Sequence, residues 1–255
     1  MDNKSFDSKR IAEGYAKRPW LHKFVMEQIK KDCEVNHEFK NGLDVGCGAG
    51  LSTRALKLLC DKVTGTDISE AMIAVCKELY KDSAYSFYAA SAEETKIPCE
   101  PYDIVTAAGV INWVDKERFL KNLQGVMVHG GLLIIYDFWI TDKMVDNETY
   151  TEWYQKEYLR NFPKPPRKED TWSQQDLGDD FVMKKQVPHQ MSYEFDLNSF
   201  IDFMMIQSNV NVQIEEGKNT ENEVREWMKR TLQPIFGENK RQLIFEGYNW
   251  YIEKI

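Results

Sequence analysis

The sequence predicts an α/β protein built on a doubly wound sheet, and three observations predict it. From Gly42 onward, short apolar runs alternate with amphipathic stretches of helical spacing. The first apolar run enters a turn that carries three glycines, Gly46-Cys47-Gly48-Ala49-Gly50. After the alternation stops near Trp139, two more strand-like runs bring the expected strands to seven. Such alternation lays most strands parallel, with helices on both faces.

Ahead of the sheet, Ile11, Tyr15, Leu21, Phe24, Val25 and Ile29 would share one face of two short helices joined near Lys17-Arg18. Pro19 suits the first turn of the second helix, where a missing N–H costs nothing. The strands expected next are 43–45, 62–67, 85–90, 102–108 and 132–138. Helical spacing covers Thr53 to Cys60, Ser69 to Tyr80 and Lys116 to Val128 between them. Residues 141–180 break the pattern with Tyr150, Trp153, Tyr154, Tyr158, Phe162 and Trp172, followed or interrupted by Pro163, Pro165 and Pro166, and suggest a helical lid. Strands at 189–195 and 242–252 and helices at 197–207 and 220–232 complete the chain. One domain is expected, with an N-terminal helical cover at 1–38, a ligand-binding core at 39–140, the lid at 141–180 and the end of the sheet at 181–255.

Composition excludes several classes of function. Hydrophobic residues at 42% and charged residues at 29% describe a chain that folds rather than a disordered one. The net charge of −8 has the same sign as a phosphate backbone, so nucleic acid is not an expected partner. No apolar run approaches the ~20 residues of a membrane-spanning helix, and the polar start Met1-Asp2-Asn3-Lys4 opens no signal peptide, so cytoplasmic localisation is the expectation. Five cysteines without a CxxC pair and four well-separated histidines predict neither a disulfide framework nor a metal site. Oligomeric state is not legible.

The glycine turn carries the most information. At the carboxyl edge of such a sheet, the first strand-to-helix turn is the expected ligand crevice. Its spacing is GxGxG rather than the GxGxxG of dinucleotide sites, and Asp44 lies in the strand just before it. A carboxylate there repels a pyrophosphate and suits a cationic sulfonium, which points to S-adenosylmethionine. Asp67, at the end of the second strand, is placed to accept the ribose hydroxyls.

The run Leu43-Asp44-Val45-Gly46-Cys47-Gly48-Ala49-Gly50 resembles the first motif of class I S-adenosylmethionine-dependent methyltransferases, with a Rossmann-like fold. Three further segments match in order: Val63 to Ser69, Ser91-Ala92-Glu93, and Tyr102 through Asp115. The resemblance implies that Gly46, Gly48 and Gly50 form the cofactor loop and that Ile68 packs on the adenine. It further implies that Ala92 and Glu93 read the ring nitrogens, and that the stretch around Ala108 and Trp113 holds the methionine portion. Asp103 keeps a structural role, capping a strand. Tyr15-Ala16-Lys17-Arg18-Pro19 is similar to an element of small-molecule methyltransferases of the trans-aconitate type, which implies that Tyr15 and Arg18 close over the methionine end.

Asn112 stands where many relatives have a histidine, and an amide cannot act as a general base. Methyl transfer is an in-line displacement at an activated carbon, so a base is needed only for an acceptor that must lose a proton. His22 and His189 are the candidate bases, Tyr150, Trp153 and Tyr154 the candidate pocket walls, and no catalytic residue is assigned. The expected function is methyl transfer to a small-molecule carboxylate, hydroxyl, amine or lipid. A nucleic-acid methyltransferase and a non-catalytic cofactor-binding regulator are the alternatives.

Overall fold

The computed structural model describes residues 9–33, 38–96, 100–164 and 171–255. His37, Cys99, Pro165 and Pro166, which entered the expectations above, lie outside them, as do the first eight residues. In chain order the elements are α1 (Lys9–Ala16), α2 (His22–Asp32), β1 (Phe39–Val45), α3 (Leu51–Leu56), β2 (Cys60–Asp67), α4 (Glu70–Leu79), β3 (Tyr85–Ala89), β4 (Tyr102–Ala108), α5 (Lys116–Val126) and β5 (Met127–Met144). There follow α6 (Glu148–Glu152), a π-helical stretch Trp153–Tyr158, α7 (Leu159–Asn161), α8 (Gln174–Leu177), β6 (Phe181–Phe195), α9 (Leu197–Met205), α10 (Ser208–Glu215), α11 (Glu221–Phe236) and β7 (Arg241–Lys254).

The seven strands form one sheet in the order β3-β2-β1-β4-β5-β7-β6. The β1–β2, β1–β4, β2–β3 and β4–β5 pairs are parallel. β7 runs the other way, because Asp137 lies against Gly247 while Val145 donates to the Gln242 carbonyl. The sheet is therefore mixed, with the reversal confined to one end. Strand order turns around at β1 and β4, and a crevice opens at their carboxyl ends.

Register decides which face each residue serves. Asp44 pairs with Gly65 and Thr106, Gly65 with Phe87, and Thr106 with Ile134, so these side chains share one face. α3 and α4 cover that face, with Ile73 and Cys76 packed on Phe87. Leu43, Val45, Val105, Ala107, Leu133 and Ile135 alternate to the opposite face, where they pack with Phe119, Leu120 and Leu123 of α5. The period-2 pattern that marked the strands thus places helices on both sides.

Differences from the sequence expectations lie at the element ends. β5 and β6 extend well beyond their apolar runs, whereas β7 keeps to within two residues of its own. Pro19 does not begin α2, which starts at His22, because Leu21 holds the capping position and the Pro19 carbonyl accepts the Leu21 N–H in a turn.

By its contacts the chain divides into two compact units. The first comprises residues 1–138, 168–189 and 247–255, and the second 139–167 and 190–246. Residues 141–180 are therefore shared between the units rather than forming one inserted segment.

Within the second unit, Tyr150, Trp153, Tyr154, Tyr158 and Phe162 are all buried. Trp153 stacks on Trp227 at 5.9 Å, and its indole N–H donates to Thr231 Oγ1 at 2.9 Å. Tyr158 donates to Asn209 Oδ1 at 3.1 Å. These aromatics form the core of their own unit, since α9 and α11 bring Phe200, Phe203 and Phe236 to the same cluster. Replacing a buried aromatic with alanine costs about 3–5 kcal/mol. Trp153→Ala is expected to lower unfolding free energy by that amount in a urea titration, and an unchanged midpoint would contradict its place in the core.

Candidate functional site

The crevice is built where β1, β2 and β4 end. Gly46, Gly48 and Gly50 all have positive φ, at 67°, 51° and 86°, which a side chain disfavours. At Gly46 a close approach adds to this. A Cβ there would lie 2.1 Å from Val110 Cγ1, so the turn after β4 rests directly on the loop.

The loop's N–H groups are turned into the protein. Cys47 donates to Thr66 O at 2.9 Å, Gly48 to Asp67 Oδ2 at 2.9 Å and Gly50 to Cys47 O at 2.9 Å. These bonds lock the loop to the end of β2, which is a poor cradle for phosphate and a rigid floor for a neutral or cationic ligand.

Asp44 lies beneath that floor, fully buried. Its Oδ2 accepts from Ser52 at 2.6 Å and Thr53 at 2.7 Å, and its Oδ1 accepts from Thr106 at 2.8 Å. Burial pushes its pKa up to about 6, against the pull of the three hydroxyls, and the charge of Asp67 adds to the rise. The carboxylate is thus walled in by hydroxyls of α3 and β4 rather than presented to a ligand.

Asp67 closes β2 with both oxygens at the crevice, one accepting from Gly48 and the other from the Ser69 N–H at 2.9 Å. Next to it Ile68 is 60% exposed, and after β4 Trp113 is 48% exposed, so two large apolar side chains stand at strand ends. Ala92 and Glu93 form a turn after β3, and Glu93 Oε1 accepts the Asp115 N–H at 2.8 Å, tying this turn to the start of α5. Ala108 ends β4 paired with Tyr136. Asp103 Oδ2 accepts the Asn41 N–H at 2.8 Å, the structural role expected of it.

The N-terminal cover is fastened beside the loop. Ala12, with Tyr15 and Ala16, packs on Ala49, Met72 and Val75. The Trp20 indole donates to Leu51 O at 3.0 Å, and the Arg54 guanidinium lies 3.9 Å over the same ring. Arg18 lies 3.7 Å over the Tyr15 ring, which holds both near the glycine loop.

The two candidate bases differ in place. His22 Nδ1 lies 2.8 Å from the Tyr136 hydroxyl, with its ring edge-on to Tyr136 and Phe138. Burial lowers its pKa to about 3 and the Arg18 charge adds to the shift, so the ring is neutral at pH 7. His189 sits on the edge strand β6 against Gly247, with both ring nitrogens buried and without a hydrogen-bond partner, and burial lowers its pKa too. Asn112 and Trp113 are exposed in the turn after β4.

One residue escaped the sequence reading. Asp137 ends the inner part of β5, and its carboxylate lies over the backbone of Gly109, 3.2–3.8 Å from where a Cβ would stand. The available signal was a carboxylate closing an apolar run, the same pattern that marked Asp67. Among the described residues, no group of three or more His, Cys, Asp or Glu could hold a metal ion, and no helix is long and apolar enough to cross a membrane.

Against known proteins, residues 43–135 match the family model described as a methyltransferase domain. The matched span runs from the end of β1 to the middle of β5 and leaves out the N-terminal cover, Tyr136 and Asp137. Over this span the chain is similar to methyltransferase domains. The chain is 32% identical over 103 residues to a malonyl-[acyl-carrier protein] O-methyltransferase of Porphyromonas gingivalis, covering 40% of this chain and 39% of that one. It is 36% identical over 96 residues to a ubiquinone biosynthesis O-methyltransferase of Bradyrhizobium diazoefficiens, covering 36% and 38%. The chain thus spans about two-fifths of the length of these relatives. A solved structure from Anaeromyxobacter dehalogenans, of a protein assigned as a type II methyltransferase, superposes with a TM-score of 0.66 at 18% identity. It covers 84% of this chain and 89% of that one, a likeness of fold.

Two outcomes follow from the domain's geometry. Gly46→Ala must displace Val110, whereas a Cβ at Gly48 meets nothing within 4 Å, so both strain φ but only the first collides. S-adenosylhomocysteine affinity is expected to fall much further in Gly46→Ala than in Gly48→Ala by calorimetry.

The second outcome concerns pH. Asp44 has its folded pKa raised from 3.8 to about 6, so its burial costs nothing below pH 3.8 and destabilises increasingly as pH rises to about 6. The cost reaches about 3 kcal/mol at most. His22, lowered from 6.5 to about 3, acts in the opposite sense, and its contribution is lost as pH falls from 6.5. Asp44→Asn should therefore lose stability more steeply than the parent between pH 6 and 4. Urea midpoints across that range provide the check.

Proposed function

We propose that the protein as a whole is an S-adenosylmethionine-dependent methyltransferase that acts on a small-molecule acceptor. The observation that carries the reading is the Asp67–Gly48 link, which places a carboxylate directly beside the glycine loop. In this reading Asp67 takes the ribose hydroxyls, Ile68 and Trp113 flank the adenine and methionine portions, and the Ala92-Glu93 turn meets the ring edge. Tyr15 and Arg18, fixed beside the loop by the cover, meet the methionine end, where the guanidinium can pair with a carboxylate.

The arrangement at the N-terminus supports a likeness to the trans-aconitate type of small-molecule methyltransferase, since Trp20 and Arg54 fasten the Tyr15–Pro19 element beside α3. A net charge of −8 favours a small acceptor over nucleic acid. Both relatives named above are O-methyltransferases by name, which supports oxygen as the receiving atom. The cofactor's sulfonium supplies an activated methyl group. The residues of the chain bind the cofactor, exclude water and align the acceptor for in-line attack.

Calorimetry with S-adenosylmethionine, S-adenosylhomocysteine and a nicotinamide dinucleotide tests the reading. Binding of the first two is expected, and tight binding of the dinucleotide alone would overturn it. Asp67→Ala should weaken S-adenosylhomocysteine binding by about 1.5–3 kcal/mol, the range for hydrogen bonds to a charged group.

A further inference from the structure

We infer that Asp137 is the acceptor-side carboxylate of this crevice, and that the methyl acceptor is therefore a hydroxyl or an amine rather than a carboxylate. The inference rests on the methyltransferase reading above and extends it to the class of substrate.

The placement follows a row of contacts. Gly46 of the cofactor loop lies against Val110, and Val110 follows Gly109. The Gly109 N–H donates to Tyr136 O at 2.8 Å, which draws the turn after β4 onto the end of β5. The Asp137 carboxylate lies on that same turn, over Gly109, where any side chain at 109 would press on it. Gly109 has φ +66°, so the chain gives up a side chain at the point where the carboxylate needs room. Asp137 thus stands one turn beyond the loop on the carboxyl side of the sheet, on the same stretch that would hold the methionine end.

Its surroundings fit a proton-bearing nucleophile. Oδ1 accepts the Phe138 N–H at 2.8 Å, which fixes the carboxylate plane. The alternation of β5 puts the side chains of Tyr136 and Phe138, both in contact with His22, on the face opposite Asp137. An acceptor carboxylate brought to this point would face Asp137 and be repelled. A hydroxyl or neutral amine would instead donate to it and be aimed at the methyl group.

In the transfer, the acceptor's lone pair forms the new bond to the methyl carbon as the carbon–sulfur bond breaks, and that bonding pair stays on sulfur. The acceptor's proton, made acidic as the bond forms, passes to the Asp137 carboxylate and from there to water. Asn112, which cannot take a proton, need not be involved.

Sinefungin tests the placement without knowledge of the acceptor, because a carbon bearing a primary ammonium replaces its methylsulfonium. The probe sets a donor where the acceptor's O–H or N–H would approach. The full chain should bind sinefungin about tenfold or more tighter than S-adenosylhomocysteine, as one hydrogen bond between charged groups provides. Asp137→Asn should abolish that preference while S-adenosylhomocysteine still binds.

Equal binding of the two ligands by the parent protein, or a preference that survives Asp137→Asn, would overturn the inference. If the Asn variant does not fold, Asp137→Ala is measured in its place, with loss of the preference expected and a preference that survives there overturning the inference. Failure of the parent to bind S-adenosylhomocysteine at all would count against the methyltransferase reading instead. As a second readout, release of S-adenosylhomocysteine with catechol or ethanolamine, and not with malonate, is the expected pattern, and methylation of malonate alone would overturn the acceptor class.

Discussion

The buried carboxylate of Asp44 is the interaction on which the crevice depends. A charge with no solvent exposure is costly unless hydrogen bonds replace water, and here three hydroxyls do so from two elements besides its own strand. Ser52 and Thr53 tie it to the first turn of α3, and Thr106 ties it to β4. The glycine loop runs between Asp44 and Ser52, so both of its ends are fixed by one side chain. A loop held this way keeps the positive φ values its glycines allow, and the ligand meets a floor that is already formed.

From that floor the other features follow. Because the loop's amides bond to β2 and to the loop itself, Asp67 is drawn to the loop. Because Gly46 admits Val110, the turn after β4 comes to rest on the loop and carries Asp137 with it. The N-terminal cover reaches the same place through Trp20 and Ala12, which brings His22 to the end of β5 as a neutral ring.

The two compact units divide the chemistry from the aromatic packing. All the crevice contacts lie in the first unit, and the aromatic cluster of 150–162 lies in the second. Trp153 and Tyr158 spend their polar atoms on Thr231 and Asn209, as core aromatics do. Their enrichment in the sequence signals burial as readily as it signals a pocket. Composition cannot separate the two, since both use large apolar side chains.

The sequence by itself determined the order of the elements and the nature of the crevice. Period-2 apolar runs mark β1 to β4 to within a few residues, because half of each strand's side chains must be buried. The glycines at 46, 48 and 50 were legible because only glycine readily adopts their φ. The long polar-edged parts of β5 and β6 were not legible, since their pairing is satisfied by other strands rather than by their own apolar pattern. Only the tertiary structure decided that Asp44 is walled in and that Asp137 lies on Gly109. The partners concerned are Thr106, 62 positions from Asp44, and Gly109, 28 positions before Asp137. Local periodicity carries no information about which distant hydroxyl or glycine a carboxylate will meet, because that depends on strand register and on the close approach of one backbone to another.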